Sequence, residues 1–298
     1  MSKLAELWQY VETVRPEIEQ ALVQHLPGAP ARIKTDFNEA LQYSLFPGGK
    51  RLRPVLTLLG AEIVGGRRDK VLPVAAAIEF VHTSSLIFDD LPCMDDAVER
   101  RGKISLHQKY GEGTAVLVGL ALLNASYGLV FTSVNGNSKS AIRAHAELVN
   151  CIGASGMVGG QAIDLAMTVG GDNEQTAHDF ETLRNLKTSA LIRMAVTVGA
   201  IQCGANNNQI AALIEFSERL GDAYQTSDDL LDLEEDLHIS NTSERTKTFA
   251  LEQGIGKAKG RVSDLIAGAK TALQNEFGDV SSTRLLCAMA DYIAERKA

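Results

Sequence analysis

Apolar residues recur along most of the chain at spacings of three and four, the mark of helices with one buried face. The pattern predicts helices over residues 4–22, 71–88, 141–167, 176–198, 209–231 and 281–296. Alternating runs of strand type are almost absent. Turn residues cluster at 27–31, 135–138 and 170–173, and the seven prolines fall mostly at boundaries such as Pro47 and Pro54. No stretch reads as an interdomain linker, and no solenoid repeat is visible. The expected fold is therefore all-α, a single domain over residues 1–298 with about ten or more helices.

Composition narrows the function classes. Hydrophobic residues make up 45% and charged residues 22%, enough apolar mass for a sizeable core and no signature of disorder. Asp and Glu number 37 against 29 Lys and Arg, a net charge of −8, which argues against a nucleic-acid binder with its basic face. Aromatics are only 5%, with one Trp, so a base-stacking platform is not expected. Cys93, Cys151, Cys203 and Cys287 show no CxxC spacing and suit a reducing compartment, so the cytoplasm is expected. Residues 1–20 are amphipathic and charged, without the apolar core of a signal peptide. Residues 115–131 are the most membrane-like but contain Asn124, Ser126 and two glycines, and read as a buried core helix rather than a span.

Two acidic clusters interrupt apolar helices. The first is Asp89-Asp90-Leu91-Pro92-Cys93-Met94-Asp95-Asp96, the second Asp228-Asp229-Leu230-Leu231-Asp232. In the second, Asp228 and Asp232 are four apart and share a helix face, an unfavourable placement of like charges unless a cation neutralises them. In the first, Asp89 and Asp95 are six apart and converge if the proline-containing segment kinks. One such cluster alone is equally a solvated acidic helix end. Two of them suit a hard divalent ion such as Mg²⁺, held by carboxylates, water and substrate phosphates. The cations fit the same picture. Gly48-Gly49-Lys50-Arg51-Leu52-Arg53-Pro54 joins a glycine turn to three cations, and Arg100-Arg101-Gly102-Lys103 follows the first acidic cluster. Either is a solvated basic turn by itself; beside two metal-type clusters they point to a diphosphate site.

With these residues in view, the chain resembles the trans-isoprenyl diphosphate synthases of the farnesyl/geranylgeranyl type. The resemblance runs from Gly48 to the C-terminal helix. Its anchors occur in family order: the GGKRLRP run at 48–54, Glu79 with His82-Thr83-Ser84-Ser85-Leu86, and the acidic run at 89–96. Then come Arg100 to Lys103, Gly160-Gln161-Ala162-Ile163-Asp164-Leu165, Leu186-Lys187-Thr188, and Tyr224-Gln225 with Asp228 to Asp232. The longer DDxxxxD spacing at 89–95 is similar to the bacterial and plant subtype. The resemblance implies an isoprenoid synthase fold, helices around a central apolar tunnel, and about three Mg²⁺ ions per site bridging the diphosphate. Asp89 and Asp95 would bind two of them, and Asp228 with Asp232 a third. Arg100 would contact the allylic diphosphate, while Lys50, Arg53, His82 and Arg101 would hold isopentenyl diphosphate. Lys187, Thr188 and Gln225 would line the reacting centre, and Lys247 resembles a later active-site lysine. A lone His on an apolar helix is commonly a satisfied core residue; the motif favours the ligand role for His82.

The implied reaction ionises the allylic diphosphate, adds the isopentenyl double bond to the resulting cation, and loses a proton to the released diphosphate. Product length depends on the helix before Asp89. One turn rises about 5.4 Å, roughly one isoprene unit. Ser85 and Ser84 lie four and five residues before Asp89 and are small, and Phe80 stands about one turn further back. Growth past Ser84 and closure at Phe80 would give geranylgeranyl diphosphate; closure from another helix, through Tyr127 or Phe131, would give farnesyl diphosphate. The chain departs from the family after Asp232, where the segment is short and lacks a first lysine, at Leu120, and at Ala97 and Val98. A terpene cyclase would not need the second basic site, and a noncatalytic subunit would be expected to lose carboxylates. A homodimer is expected, with residues 115–131 as candidate interface, and neither a nucleic-acid partner nor stable membrane insertion.

Overall fold

The computed structural model describes residues 2–30, 32, 34–46, 48–133, 138–168, 177–238 and 254–295, with side chains except at 138, 167–168, 177–185 and 232–238. The first helix shows how local chemistry sets the pattern. Ser2 caps α1 (Lys3–His25), its Oγ accepting from the Ala5 N–H at 3.2 Å, and Leu7, Val11, Val14, Ile18 and Leu22 bury one face. The chain continues through α2 (Phe37–Leu45), α3 (Leu52–Ile63) and α4 (Arg68–Asp89). A short hairpin of β1 (Glu99–Arg100) and β2 (Lys103–Ile104) follows, then α5 (Leu106–Tyr110) and α6 (Glu112–Thr132). Next come α7 (Ser138–Ile152), α8 (Met157–Thr168), α9 (Ala177–Gln202), α10 (Asn207–His238), α11 (Ile255–Phe277) and α12 (Ser281–Ala294). The all-α expectation holds: the hairpin is the only strand structure among the described residues.

Two helices organise the rest. In α4 every residue from Val74 to Ser85 is buried, the state of a helix enclosed by others. It packs against α1, α3, α6 and α9, while α9 packs against α3, α7, α8 and α10. The buried apolar side chains join in one cluster running from Leu7 to Ile293.

Two expectations need correction. The run at 141–167 is two helices, α7 and α8, broken between Ile152 and Met157. Gly153 and Gly156 flank Ala154-Ser155, and the Gly156 N–H turns back to the Gly153 carbonyl at 3.0 Å. The apolar periodicity across the break was continuous, but two glycines remove helix propensity just there. Nor is 115–131 a fully buried helix. Ala115, Val118, Gly119, Leu122, Ser126 and Val130 face the core, while Leu117, Leu120 and Phe131 are about half exposed. Both α4 and α6 are long and apolar enough to cross a membrane, and α4 is largely buried inside the protein. The turns expected at 135–138 and 170–173 lie largely or wholly outside the described residues, as do Lys247 and most of the short segment after Asp232.

Candidate active site

Asp89 is the last residue of α4, and Asp90 caps it. Carboxylates there oppose the negative end of the helix dipole, a placement that needs a compensating cation. Pro92 stops the helix, and the chain curls back so that the Asp95 N–H donates to the Asp89 carbonyl at 2.9 Å. The kinked convergence of Asp89 and Asp95 expected from sequence is thus achieved through the backbone. Asp89 is buried and Asp95 exposed. Burial pushes the Asp89 carboxyl above its usual range, with Lys187 opposing this and Asp95 reinforcing it.

Lys187, on α9, reaches that end of α4. Its Nζ donates to Asp89 Oδ2 at 2.7 Å and to Gln161 Oε1 at 2.5 Å. Gln161, on α8, was part of a motif in the sequence but had no role assigned from it. The approach of α8 depends on Gly160, where a Cβ would stand 2.7 Å from the Lys187 backbone nitrogen. On α10, Gln225 Nε2 donates to the buried Asp229 at 3.3 Å, and Asp228 on the same helix is half-buried. The side chain of Asp232 lies outside the described ones.

The two arginines after the first acidic cluster are separated by the hairpin turn. Arg100 pairs with Lys103 across the strands, leaving Arg101 and Gly102 as the two-residue loop, at φ 55° and 72°. Positive φ at both positions is what a type I′ turn requires, and Gly102 meets it without strain. Tyr43 and Lys103 tie the hairpin to the α2 region, donating to the Ile104 carbonyl at 2.9 Å and the Phe46 carbonyl at 2.8 Å. Arg100 then pairs with the buried Asp90, its Nε donating to Oδ1 at 2.8 Å, and Asp90 raises its pKa. Sequence reasoning had not singled out Asp90 as that partner. Arg101 turns the other way, to His82.

A cavity of about 880 Å³ opens there, lined by Lys50, Arg53, His82, Arg101, Thr188 and Tyr224 among others. Arg53 and Arg101 each bring a guanidinium nitrogen to 3.1 Å from His82 Nε2. That nitrogen can accept from both only as neutral imidazole. Burial first, then Arg53, Arg101, Arg51 and Arg100, hold the His82 pKa well below its ordinary value. Two cations converge on a neutral acceptor, and Glu79, which lines the same cavity, is paired with Arg51, so positive charge is left for an anionic ligand. Arg51 differs from its neighbours. It sits at φ 53°, buried, with Nε 2.7 Å from Glu19, NH1 2.7 Å from Glu79 and NH2 donating to the Leu45 carbonyl at 2.7 Å. All three cations of the 48–54 run line the cavity, but Arg51 is spent on ion pairs with Glu19 and Glu79, whereas Arg53 meets His82 and Lys50 meets the Tyr292 hydroxyl.

The two halves are linked. His82 and Asp89 are seven residues apart on α4, two turns and about 10 Å along one face. Between them lie Ser84 and Ser85, both buried, and Phe80, one turn before Ser84, is fully buried. Lys187 serves the acidic end, and Thr188 beside it lines the basic cavity.

Comparison with known proteins shows the family and the fold. A family model described as polyprenyl synthetase matches residues 34–246. The chain is 36% identical over 266 residues to geranylgeranyl pyrophosphate synthase 7, chloroplastic, of Arabidopsis thaliana, covering 87% of this chain and 76% of that one. It is 38% identical over 271 residues to the chloroplastic geranylgeranyl pyrophosphate synthase of Capsicum annuum, covering 87% and 71%. Among solved structures, an FPP/GFPP synthase from Zymomonas mobilis superposes with a TM-score of 0.86 at 31% identity, covering 98% of this chain and 99% of that one. A geranyltransferase from Legionella pneumophila gives 0.84 at 28% identity, covering 99% of each.

Proposed function

The chain belongs to the polyprenyl synthetase family, and from that premise we propose that it is a prenyltransferase joining isopentenyl diphosphate to an allylic diphosphate, with geranylgeranyl diphosphate as main product. The carrying observation is the paired compartment: Lys187 on Asp89 at one end, and Arg53, His82 and Arg101 around a cavity at the other, with Thr188 between.

The basic cavity suits the isopentenyl diphosphate, held by Lys50, Arg53 and Arg101, with neutral His82 spacing the two guanidiniums. The allylic diphosphate belongs at the acidic end with Lys187 and Arg100, and Gln225 beside it. Asp89, Asp95 and Asp228, with Asp232, would hold Mg²⁺. The donor set is carboxylate throughout, and Asp89 stands at the negative end of the α4 dipole, which fits a hard cation. Among the described residues no three such side chains form a ready cage; diphosphate oxygens and water would supply the remaining ligands, as is usual for Mg²⁺. When bound, Mg²⁺ supplies charge stabilisation to the departing diphosphate.

The rest falls to the protein. The allylic C–O bond breaks with its electron pair leaving on the diphosphate, and the Lys187 ammonium stabilises the charge that develops there. The basic cavity presents the isopentenyl double bond to the allylic carbon, so that the new C–C bond forms within one bound assembly. The apolar walls of α4 exclude water from the cation, and the released diphosphate takes the proton. The small Ser84 and Ser85 leave room for a chain longer than fifteen carbons, and buried Phe80 is the proposed floor. Lys247, outside the described residues, keeps only the role that the family resemblance implies. The enzyme works as one polyprenyl synthase domain over residues 1–298, in a homodimer formed through the exposed apolar side of α6. Its proposed compartment is the cytoplasm, supported by four free cysteines.

The test is to supply purified protein with Mg²⁺, isopentenyl diphosphate and primers of five, ten or fifteen carbons, and to measure product length. Elongation to twenty carbons is expected; no elongation from any primer would overturn the proposal.

A further inference from the structure

Lys50 is held by the two ends of the chain. Its ammonium stands 2.6 Å from the hydroxyl of Tyr292, on α12, the last helix. It also lies 5.2 Å from the Tyr292 ring centroid and 5.8 Å from that of Trp8, on α1. The two rings meet edge to face, with centroids 5.0 Å apart and planes at 90°. This differs from Arg51 next door, whose charge is cancelled by Glu19 and Glu79. The Tyr292 hydroxyl accepts from the ammonium at the edge of its ring, and the Trp8 ring stands beside it; neither neutralises the charge, which remains available to an anion. Tyr292 also lines the same cavity as Arg53 and His82.

We propose that Trp8 and Tyr292 are positioning residues: together they form an aromatic seat that fixes the Lys50 ammonium at the mouth of the basic cavity, so that affinity for isopentenyl diphosphate depends on the docking of α1 and α12. The proposal rests on the reading of that cavity as the isopentenyl site. A lysine side chain left free would give up several rotors on meeting the phosphate; one already seated gives up fewer. Tyr292→Phe removes the hydroxyl and keeps the ring packing. Trp8→Leu removes most of the seat.

Trp8 is the sole tryptophan of the chain, so its fluorescence reports on the seat directly. Isopentenyl diphosphate is titrated into the full chain without metal or allylic substrate, and binding is followed in parallel by calorimetry and by Trp8 emission. Wild type should show a saturable emission change with the same midpoint as the heat. Lys50→Ala should abolish the emission change. Tyr292→Phe should raise the dissociation constant by about tenfold, and in turnover should raise KM for isopentenyl diphosphate while KM for the allylic substrate stays at the wild-type value. After Lys50→Ala, adding Tyr292→Phe should cost no further affinity, because the seat then has nothing to hold. A Tyr292→Phe protein with wild-type affinity, or calorimetric binding that leaves Trp8 emission flat, overturns the seat while leaving the cavity assignment intact. Absence of calorimetric binding in wild type, with elongation activity present, overturns the cavity assignment and the seat with it. Equal rises in KM for both substrates would mean that Tyr292 acts only through general stability, and would also overturn the seat.

Discussion

The ammonium of Lys187 and the carboxylate of Asp89 are 2.7 Å apart, although 98 residues separate them in sequence. The contact joins α9 to the end of α4 and puts a positive charge beside a carboxylate that burial raises above its usual range. If that charge serves the departing diphosphate, its removal should strike the chemical step. Lys187→Met should lower kcat by about a hundredfold or more, the range for losing one electrostatic donor in a closed site, with KM for isopentenyl diphosphate little changed. Steady-state kinetics with each substrate varied in turn will check this.

Arg51 should behave as a residue of the fold. Its side chain is 2% exposed and that of Glu79 is 3% exposed. Arg51→Met leaves Glu79 with a buried uncompensated charge, and should cost about 3–5 kcal/mol of stability. Arg51→Met combined with Glu79→Gln should recover part of it. Denaturant unfolding of the two variants measures the difference.

Ser84 should control product length. It is buried, its hydroxyl donates to the Val81 carbonyl at 2.8 Å, and it stands on α4 between His82 and Asp89. Ser84→Tyr places an aromatic ring one to two turns from the acidic end. The main product should shorten from twenty carbons to fifteen, with turnover retained; an unchanged product distribution would remove Ser84 from the tunnel floor.

The low pKa of His82 makes stability depend on pH in a definite direction. Folded His82 resists protonation, whereas the unfolded chain takes the proton near the ordinary value of 6.5. The unfolded state therefore binds more protons between the folded value and 6.5, and stability falls as pH drops below 6.5. The slope attributable to His82 should approach, at most, about 1.4 kcal/mol per pH unit. His82→Gln should remove this slope. Unfolding at pH 7.5 and 5.5, compared between wild type and variant, isolates it from the other titrating groups.

Local chemistry made much of this protein legible. Helices at 4–22, 71–88, 176–198, 209–231 and 281–296 appear as α1, α4, α9, α10 and α12, within four residues except that α10 runs seven residues further, to His238, because an apolar stripe of helical period is written into consecutive side chains. The acidic clusters were visible for the same reason: like charges inside apolar helices are conspicuous in any window that contains them. The resemblance in ordered motifs identified the family.

The partners of those residues were decided by tertiary structure. Lys50, Arg51 and Arg53 are near neighbours of one charge type, yet one meets two aromatic rings, one meets two glutamates and one meets a histidine. Arg100 and Arg101 are adjacent, and the hairpin turn sends one to Asp90 and the other to His82. Continuous periodicity over 141–167 hid a break, and the apolar 115–131 run gave no sign of which side would stay open. Spacing along a chain fixes which side chains share a helix face. Which charge is cancelled and which is left for a ligand depends on contacts between helices far apart in sequence, and those exist only once the helices have packed.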